Sequence, residues 1–287
     1  MILASEKTVK TKVGFMQGRL SASVDGKIQV FPWESWRDEL IIAKEHGISL
    51  MEWTLDQDRL YENPLMTPQG RSEIKALLRQ AGVRVVSLTG DCFMQAPFYK
   101  AAGASREQLL EDMKNIVAAG SDLGIRLILV PLVDGGQLEN PRQEEQLKED
   151  LNAFVPFLKK TGVMISLESD FPAERLKEFI AAFDPQYFGI TYDIGNSAAL
   201  GYDPAQEIGL YADRIVNVHV KDRALGGATV PLGTGNADIP GVFRILSDHG
   251  YRGNYILQTA RATDGDDIGA LCKYYVMVLR WLEKADE

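Results

Sequence analysis

Residues 163–193 read VMISLESDFPAERLKEFIAAFDPQYFGITYD. The two ends of this stretch, VMISLES and FGITYD, are apolar runs of the length of a buried strand. Between them Pro172 opens AERLKEFIAAF, whose apolar residues recur at helical spacing. A strand, a helix and a second strand form a parallel crossover unit, which belongs in a sheet covered by helices. The same alternation extends outward in both directions: VGFM from Val13, ISLMEW from Ile48, VRVVSLT from Val83, RLILVP from Arg126, IVNVHV from Ile215 and YILQT from Tyr255. Eight such segments in 287 residues predict an α/β protein with a single (β/α)8 TIM barrel over residues 12–287 and a short polar extension over residues 1–11. An open doubly wound sheet is the weaker alternative, because such sheets usually have fewer strands and no GxGxxG follows the first strand here.

Helix boundaries support this frame. Thr67-Pro68 and Asp203-Pro204 each combine an N-cap acceptor with a proline whose missing N–H has no cost at the first helical position. Ser105 and Gln108 have the spacing of a capping box. Gly82, Gly124, Gly162 and Gly250 follow helical patterns and precede strands, as C-terminal glycines do.

Composition narrows the functional class. With 31 Lys+Arg against 40 Asp+Glu the formal charge is −9, the wrong sign for replacing counterions on nucleic acid. No apolar run approaches the ~20 residues needed to cross a bilayer, and MILASEKTVK lacks the order of a secretory signal, so a cytoplasmic protein without a membrane partner is expected. Cys92 and Cys272 stand outside any CxxC or CxxH pattern and are read as packing residues.

In a (β/α)8 barrel the chemistry sits at the C-terminal ends of the strands. Polar residues there are Gln17 and Arg19 after the first strand, Glu52 on the second and Asp91 after the third. Glu168, Asp193, His219 and Gln258 then fall on the last four strands in succession. Singly, each fits a helix cap or a structural polar residue; together they form a mixed O/N set suited to one divalent ion, Mn²⁺, Mg²⁺, Co²⁺ or Zn²⁺. His46 and His249 are placed at helix ends. Lys221, two residues past His219 and on the same strand face, and Arg261 are candidates for holding anions. The glycines at 226, 227, 233 and 235 offer backbone amides to a phosphate, or simply a turn; Arg223 is a phosphate contact or a surface ion pair. Asn196 is read as a sugar-hydroxyl contact, a support for a metal ligand or a turn residue. Trp53 and Phe93 are candidates for an apolar wall against a sugar, whereas Trp33, Trp36 and Trp281 are expected in the core.

The strings SLES at 166–169, TYDIGN at 191–196, NVHVKD at 217–222 and VPLGTGNADIP at 230–240 resemble the xylose-isomerase-like barrel superfamily. Within it they are most similar to sugar-phosphate isomerases and epimerases of the hexulose-phosphate and pentulose-phosphate 3-epimerase type. The resemblance implies a small sugar or sugar-phosphate substrate, pairing of two copies, and a divalent metal held by Glu168, Asp193, His219 and a glutamate on strand eight. Gln258 stands where that glutamate is expected. An amide oxygen can bind a hard cation, but it cannot shuttle a proton near neutral pH. By the same resemblance, Glu168 is the base that forms an enediolate. A second acid is then Glu52, Asp91 or Lys221, unless the reaction is a one-base isomerisation or a dehydration of a keto-polyol. A non-catalytic barrel is the remaining alternative; an apurinic endonuclease is disfavoured by the charge and by only three histidines.

Overall fold

The computed structural model describes residues 11–285, so all but Thr11 of the expected polar extension lies outside the described residues. In chain order the strands are β1 (Val13–Met16), β2 (Leu50–Thr54), β3 (Arg84–Thr89), β4 (Leu127–Leu132), β5 (Met164–Ser169), β6 (Phe188–Asp193), β7 (Ile215–Val220), β8 (Asp222–Arg223), β9 (Thr229–Val230) and β10 (Asn254–Leu257). The helices are α1 (Trp36–Glu45), α2 (Pro68–Ala81), α3 (Asp91–Gln95), α4 (Gly103–Leu123), α5 (Pro141–Thr161), α6 (Ala173–Ile180), α7 (Ile194–Leu200), α8 (Pro204–Tyr211), α9 (Ile239–Asp248) and α10 (Asp267–Ala285). Eight strands close into a barrel in the order β1-β10-β7-β6-β5-β4-β3-β2, while β8 and β9 form a separate antiparallel ribbon. Each barrel pairing is parallel, and β1 pairs with both β10 and β2.

Strands enclosed on both faces read as continuous buried runs: every residue of β1, β2 and β6 is buried. Local chemistry fixes the helix ends. Thr67 Oγ1 accepts from Gly70 N at 3.0 Å, Asp203 Oδ1 from Ala205 N at 2.9 Å, and Gly82, Gly124 and Gly162 close their helices at φ of 69°, 100° and 66°. His46 and His249 are the C-caps of α1 and α9, as expected. The Ser105–Gln108 capping box does not form. α4 starts at Gly103, so Ser105 lies inside its first turn and Gln108 Nε2 donates to Asp112 one turn on, at 2.9 Å.

The two short helices and the ribbon, none of which the strand-helix alternation foretells, sit at the C-terminal ends of the strands: α3 follows β3, α7 follows β6, and β8–β9 follow β7. The loop after β1 is held there by a carboxylate. Glu39 on α1 accepts Gly18 N at 2.8 and 3.0 Å, Leu20 N at 2.9 Å and the Ser21 hydroxyl at 3.2 Å, with Gly18 at φ +92°. Burial pushes the Glu39 carboxyl up to about 7 in spite of those donors.

A raised carboxyl favours the folded state below its unfolded pKa, and this contribution is lost as pH rises through the folded value. At 1.36 kcal/mol per pH unit, the rise from 4.5 to about 7 corresponds to roughly 3 kcal/mol of folding stability lost between those pH values. Glu39→Gln keeps an acceptor for the amides and cannot ionise. Urea unfolding across pH 4.5–8 is therefore expected to show a steeper decline in the wild type than in the variant, the two differing by roughly 3 kcal/mol over the range; parallel curves would refute this account of Glu39.

Candidate metal centre and active site

Glu168 near the end of β5, Asp193 ending β6 and His219 on β7 converge at the top of the barrel, each buried. One ligand atom from each lies within 4.8 Å of the others. Bonds of roughly 2.0–2.6 Å place two donors of one ion no more than about 5 Å apart, so this spacing suits a shared cation. His219 Nδ1 is 3.7 Å from Glu168 Oε2 and 3.8 Å from Asp193 Oδ2.

The remaining polar atoms fit the same reading. His219 Nδ1 and Gln258 Oε1 are buried and have no hydrogen-bond partner, and Asp193 Oδ2 makes no directed hydrogen bond, although the Lys221 ammonium lies 2.7 Å from it. Buried polar atoms of this kind are costly unless something satisfies them. Two carboxylates, an imidazole nitrogen and an amide oxygen are a donor set that Mg²⁺, Mn²⁺, Co²⁺ or Zn²⁺ accepts.

The neighbours of these groups hold them in place. His219 Nε2 is 2.9 Å from Glu52 Oε1 on the opposite side of the ring from the acids, and Asn217 Nδ2, two residues earlier on β7, donates to Glu52 Oε2 at 2.9 Å. Burial opposes ionisation of Glu52, yet His219 and the hydroxyl donors around it hold its carboxyl below the ordinary value. Burial likewise opposes protonation of His219, but Glu52 outweighs it and the imidazole is pushed up to about 8. Asn196, in the first turn of α7, donates its amide N–H to Asp193 Oδ1 at 2.8 Å and its side-chain Nδ2 to Glu168 Oε1 at 2.6 Å. Burial, and next the Asp193 carboxylate, push the Glu168 carboxyl above its ordinary value.

Above the acids lies a cavity of about 460 Å³ whose lining includes Arg19, Asp91, Asp134, Glu168, Asp170, Asn196, Lys221, Arg223 and Gln258. Four residues expected in a substrate role lie elsewhere. Glu52 is wholly buried beneath His219. Trp53, next to it on β2, points the other way because strand side chains alternate; it packs outside the barrel against Phe31 and Trp36, with ring centroids 5.6 and 5.8 Å away. Phe93 is buried against Phe98, 6.5 Å between centroids. Arg261 is drawn to Asp267 at 3.2 Å and to the Ser21 carbonyl at 2.7 Å, tying the loop after β1 to the start of α10. Trp36 is buried and Trp33 and Trp281 pack against the core, as expected. Asp134 and Asp170 on the cavity wall and the Glu52–His219–Asn217 contact are not among the residues expected from the sequence; the Asn217-x-His219 spacing puts those two side chains on one face of β7 but carries no sign of Glu52.

Fold and site together define a barrel enzyme architecture with a candidate metal centre at the strand ends. The chain belongs to the xylose isomerase-like TIM barrel family, whose model matches residues 40–284. It is 28% identical over 249 residues to an L-ribulose-5-phosphate 3-epimerase, UlaE, from Escherichia coli O1:K1, spanning 84% of this chain and 87% of that protein. Among solved structures it resembles an L-ribulose 3-epimerase (TM-score 0.73, 19% identity, 95% of both chains). It also resembles a xylose isomerase-like barrel protein from Mycobacterium smegmatis in complex with magnesium (TM-score 0.69, 16% identity, 97% of this chain and 99% of that one).

If Glu52 orients His219 toward a cation, Glu52→Gln should lower divalent-metal affinity by about 10- to 100-fold. Competition against a chromogenic chelator, with circular dichroism verifying the fold, measures this; an unchanged affinity would leave Glu52 a purely structural residue.

Proposed function

We propose that the protein is a divalent-metal-dependent sugar isomerase or epimerase in which Glu168 is the base. The observation that carries the proposal is the convergence of Glu168, Asp193 and His219 on one point beneath the cavity. Glu168, Asp193 and His219, with Gln258 as the fourth donor, would hold the ion, which when bound supplies Lewis acidity at the substrate carbonyl. The curated relative's activity as an L-ribulose-5-phosphate 3-epimerase supports the same reaction class. A reducing, cytoplasmic setting suits the free Cys92 and Cys272, and no described helix is long and apolar enough to cross a membrane.

Asn196 holds one Glu168 oxygen and leaves the other facing the His219 side of the site. Glu168 takes the proton from the carbon next to the carbonyl, and the electron pair of that bond moves toward the carbonyl oxygen to give an enediolate. An isomerisation can use Glu168 alone, whereas for epimerisation a second acid must return a proton to the opposite face. Gln258 cannot do so. Of the three candidates, Glu52 is shut away under His219, and Lys221 is engaged with Asp193. Asp91 lines the cavity, and burial first, then the nearby Asp56 and Glu168 carboxylates, push its carboxyl up to about 8, so it is a neutral acid at physiological pH. Proton return from Asp91 to the opposite face of the same carbon completes an epimerisation; return to the neighbouring carbon, from Glu168 or Asp91, completes an isomerisation.

One carboxylate base with one neutral carboxylic acid is also what a β-elimination uses, the acid protonating the departing hydroxyl. Asp91 therefore also keeps a keto-polyol dehydratase as the second reading.

Incubation with ketoses and their phosphates in D₂O tests these readings. Deuterium with a new epimer marks an epimerase, an aldose-ketose shift an isomerase, and an absorbing unsaturated product a dehydratase. Glu168→Gln is expected to lower the exchange rate by about 10²–10⁴-fold, and chelation to abolish it until a divalent ion is restored. Exchange that survives both treatments would refute the proposal.

A further inference from the structure

We infer that the cavity takes a neutral ketose or keto-polyol and discriminates against its phosphate ester. This rests on the isomerase or epimerase reading and names the substrate class for the same site. A phosphate dianion is normally held by backbone N–H groups, a helix N-terminus, or arginine and lysine. Arg19, Lys221 and Arg223 on the cavity wall, and the amides at Gly233, Gly235 and Ala237 in the loop after β7, are bonded to the chain's own side-chain and backbone oxygens.

The loop after β7 is the main supplier of amides, and Asp222 occupies it. This wholly buried carboxylate accepts Gly233 N and Gly235 N at 2.9 Å each and Ala237 N at 3.1 Å. The loop is wrapped so closely onto it that a Cβ on Gly235 would lie 2.2 Å from Asp222 Oδ1. The starts of the two helices that follow, α9 and α10, are likewise closed: Asp238 caps α9 through Gly241 N at 3.0 Å, and Asp266 accepts Gly269 N in the first turn of α10 at 2.9 Å.

The cations on the cavity wall are also engaged. Arg223 donates from Nε and Nη2 to the Gly227 carbonyl at 3.0 and 2.7 Å and from Nη1 to Asn196 Oδ1 at 2.9 Å. Arg19 donates from Nε to the Thr259 carbonyl at 3.1 Å and from Nη1 to the Ile28 carbonyl. Lys221 lies on Asp193, 2.7 Å away, at the reacting end, whereas a terminal phosphate would lie at the far end of the sugar. Against these stand the carboxyl groups of Asp134, Glu168 and Asp170 on the same wall. An acceptor-rich wall suits hydroxyl donors and opposes a dianion.

The test is proton exchange in D₂O with Mn²⁺-loaded protein, comparing L-ribulose with L-ribulose 5-phosphate and one hexulose with its 6-phosphate. The free ketose of a pair is expected to exceed its ester in kcat/KM by about tenfold or more; equal or faster exchange of the ester overturns the inference while leaving the enzyme class standing. Exchange with neither member of any pair defeats the isomerase or epimerase reading instead. In that event thermal unfolding with the same compounds decides the substrate class: a Tm rise with a free ketose and not its ester upholds the inference, and a rise with the ester, or with neither, overturns it.

Discussion

The contact between Glu52 and His219 inside the barrel, 2.9 Å long with both side chains wholly buried, is the constraint on which the site depends. Two ionisable groups removed from water are tolerated only when each is paired and the surrounding donors fit. Here Asn217 and Thr89 complete the carboxylate on the lower side of the ring. Because Nε2 faces Glu52, Nδ1 is left to face Glu168 and Asp193. The imidazole is thus aimed before anything binds, which is the preorganisation that electrostatic catalysis needs.

A second layer of carboxylates arranges the loops above. Glu39 gathers the loop after β1, Asp222 the loop after β7, and Asp267 anchors both Arg261 and the amide of Ala262. Each acid accepts backbone N–H groups of the loop it holds and so fixes the path of that loop at the barrel rim. The same economy explains why the Gly-rich segment, which offers so many amides in sequence, presents them inward to Asp222 and not to the cavity. The acidic surplus of the chain therefore has a structural use in this half of the barrel as well as a solvated one.

Much of the fold was legible residue by residue. Thr67-Pro68, Asp203-Pro204 and the glycines at 82, 124 and 162 report short-range sterics and hydrogen bonds, which neighbours along the chain settle alone. The capping box at Ser105 failed for the complementary reason: α4 begins two residues earlier, at Gly103, just after the short turn at Phe98–Lys100. Eight buried strands of similar length separated by helices leave few ways to close a sheet, so the barrel too followed from pattern.

The site divided along the same line. That Glu168, Asp193, His219 and Gln258 stand at corresponding points of successive strands was readable from strand period, and the barrel brought the first three within 4.8 Å. Which way Glu52 and Trp53 point, by contrast, depends on which face of β2 meets the barrel interior, and Arg261 follows an aspartate reached only by the turn into α10. Spacing along a chain determines what type of group occupies each strand end. Only closure of the barrel decides which of those groups share a cavity and which are bonded to one another, because partners such as Glu52 and His219, 167 residues apart, have no common local signal.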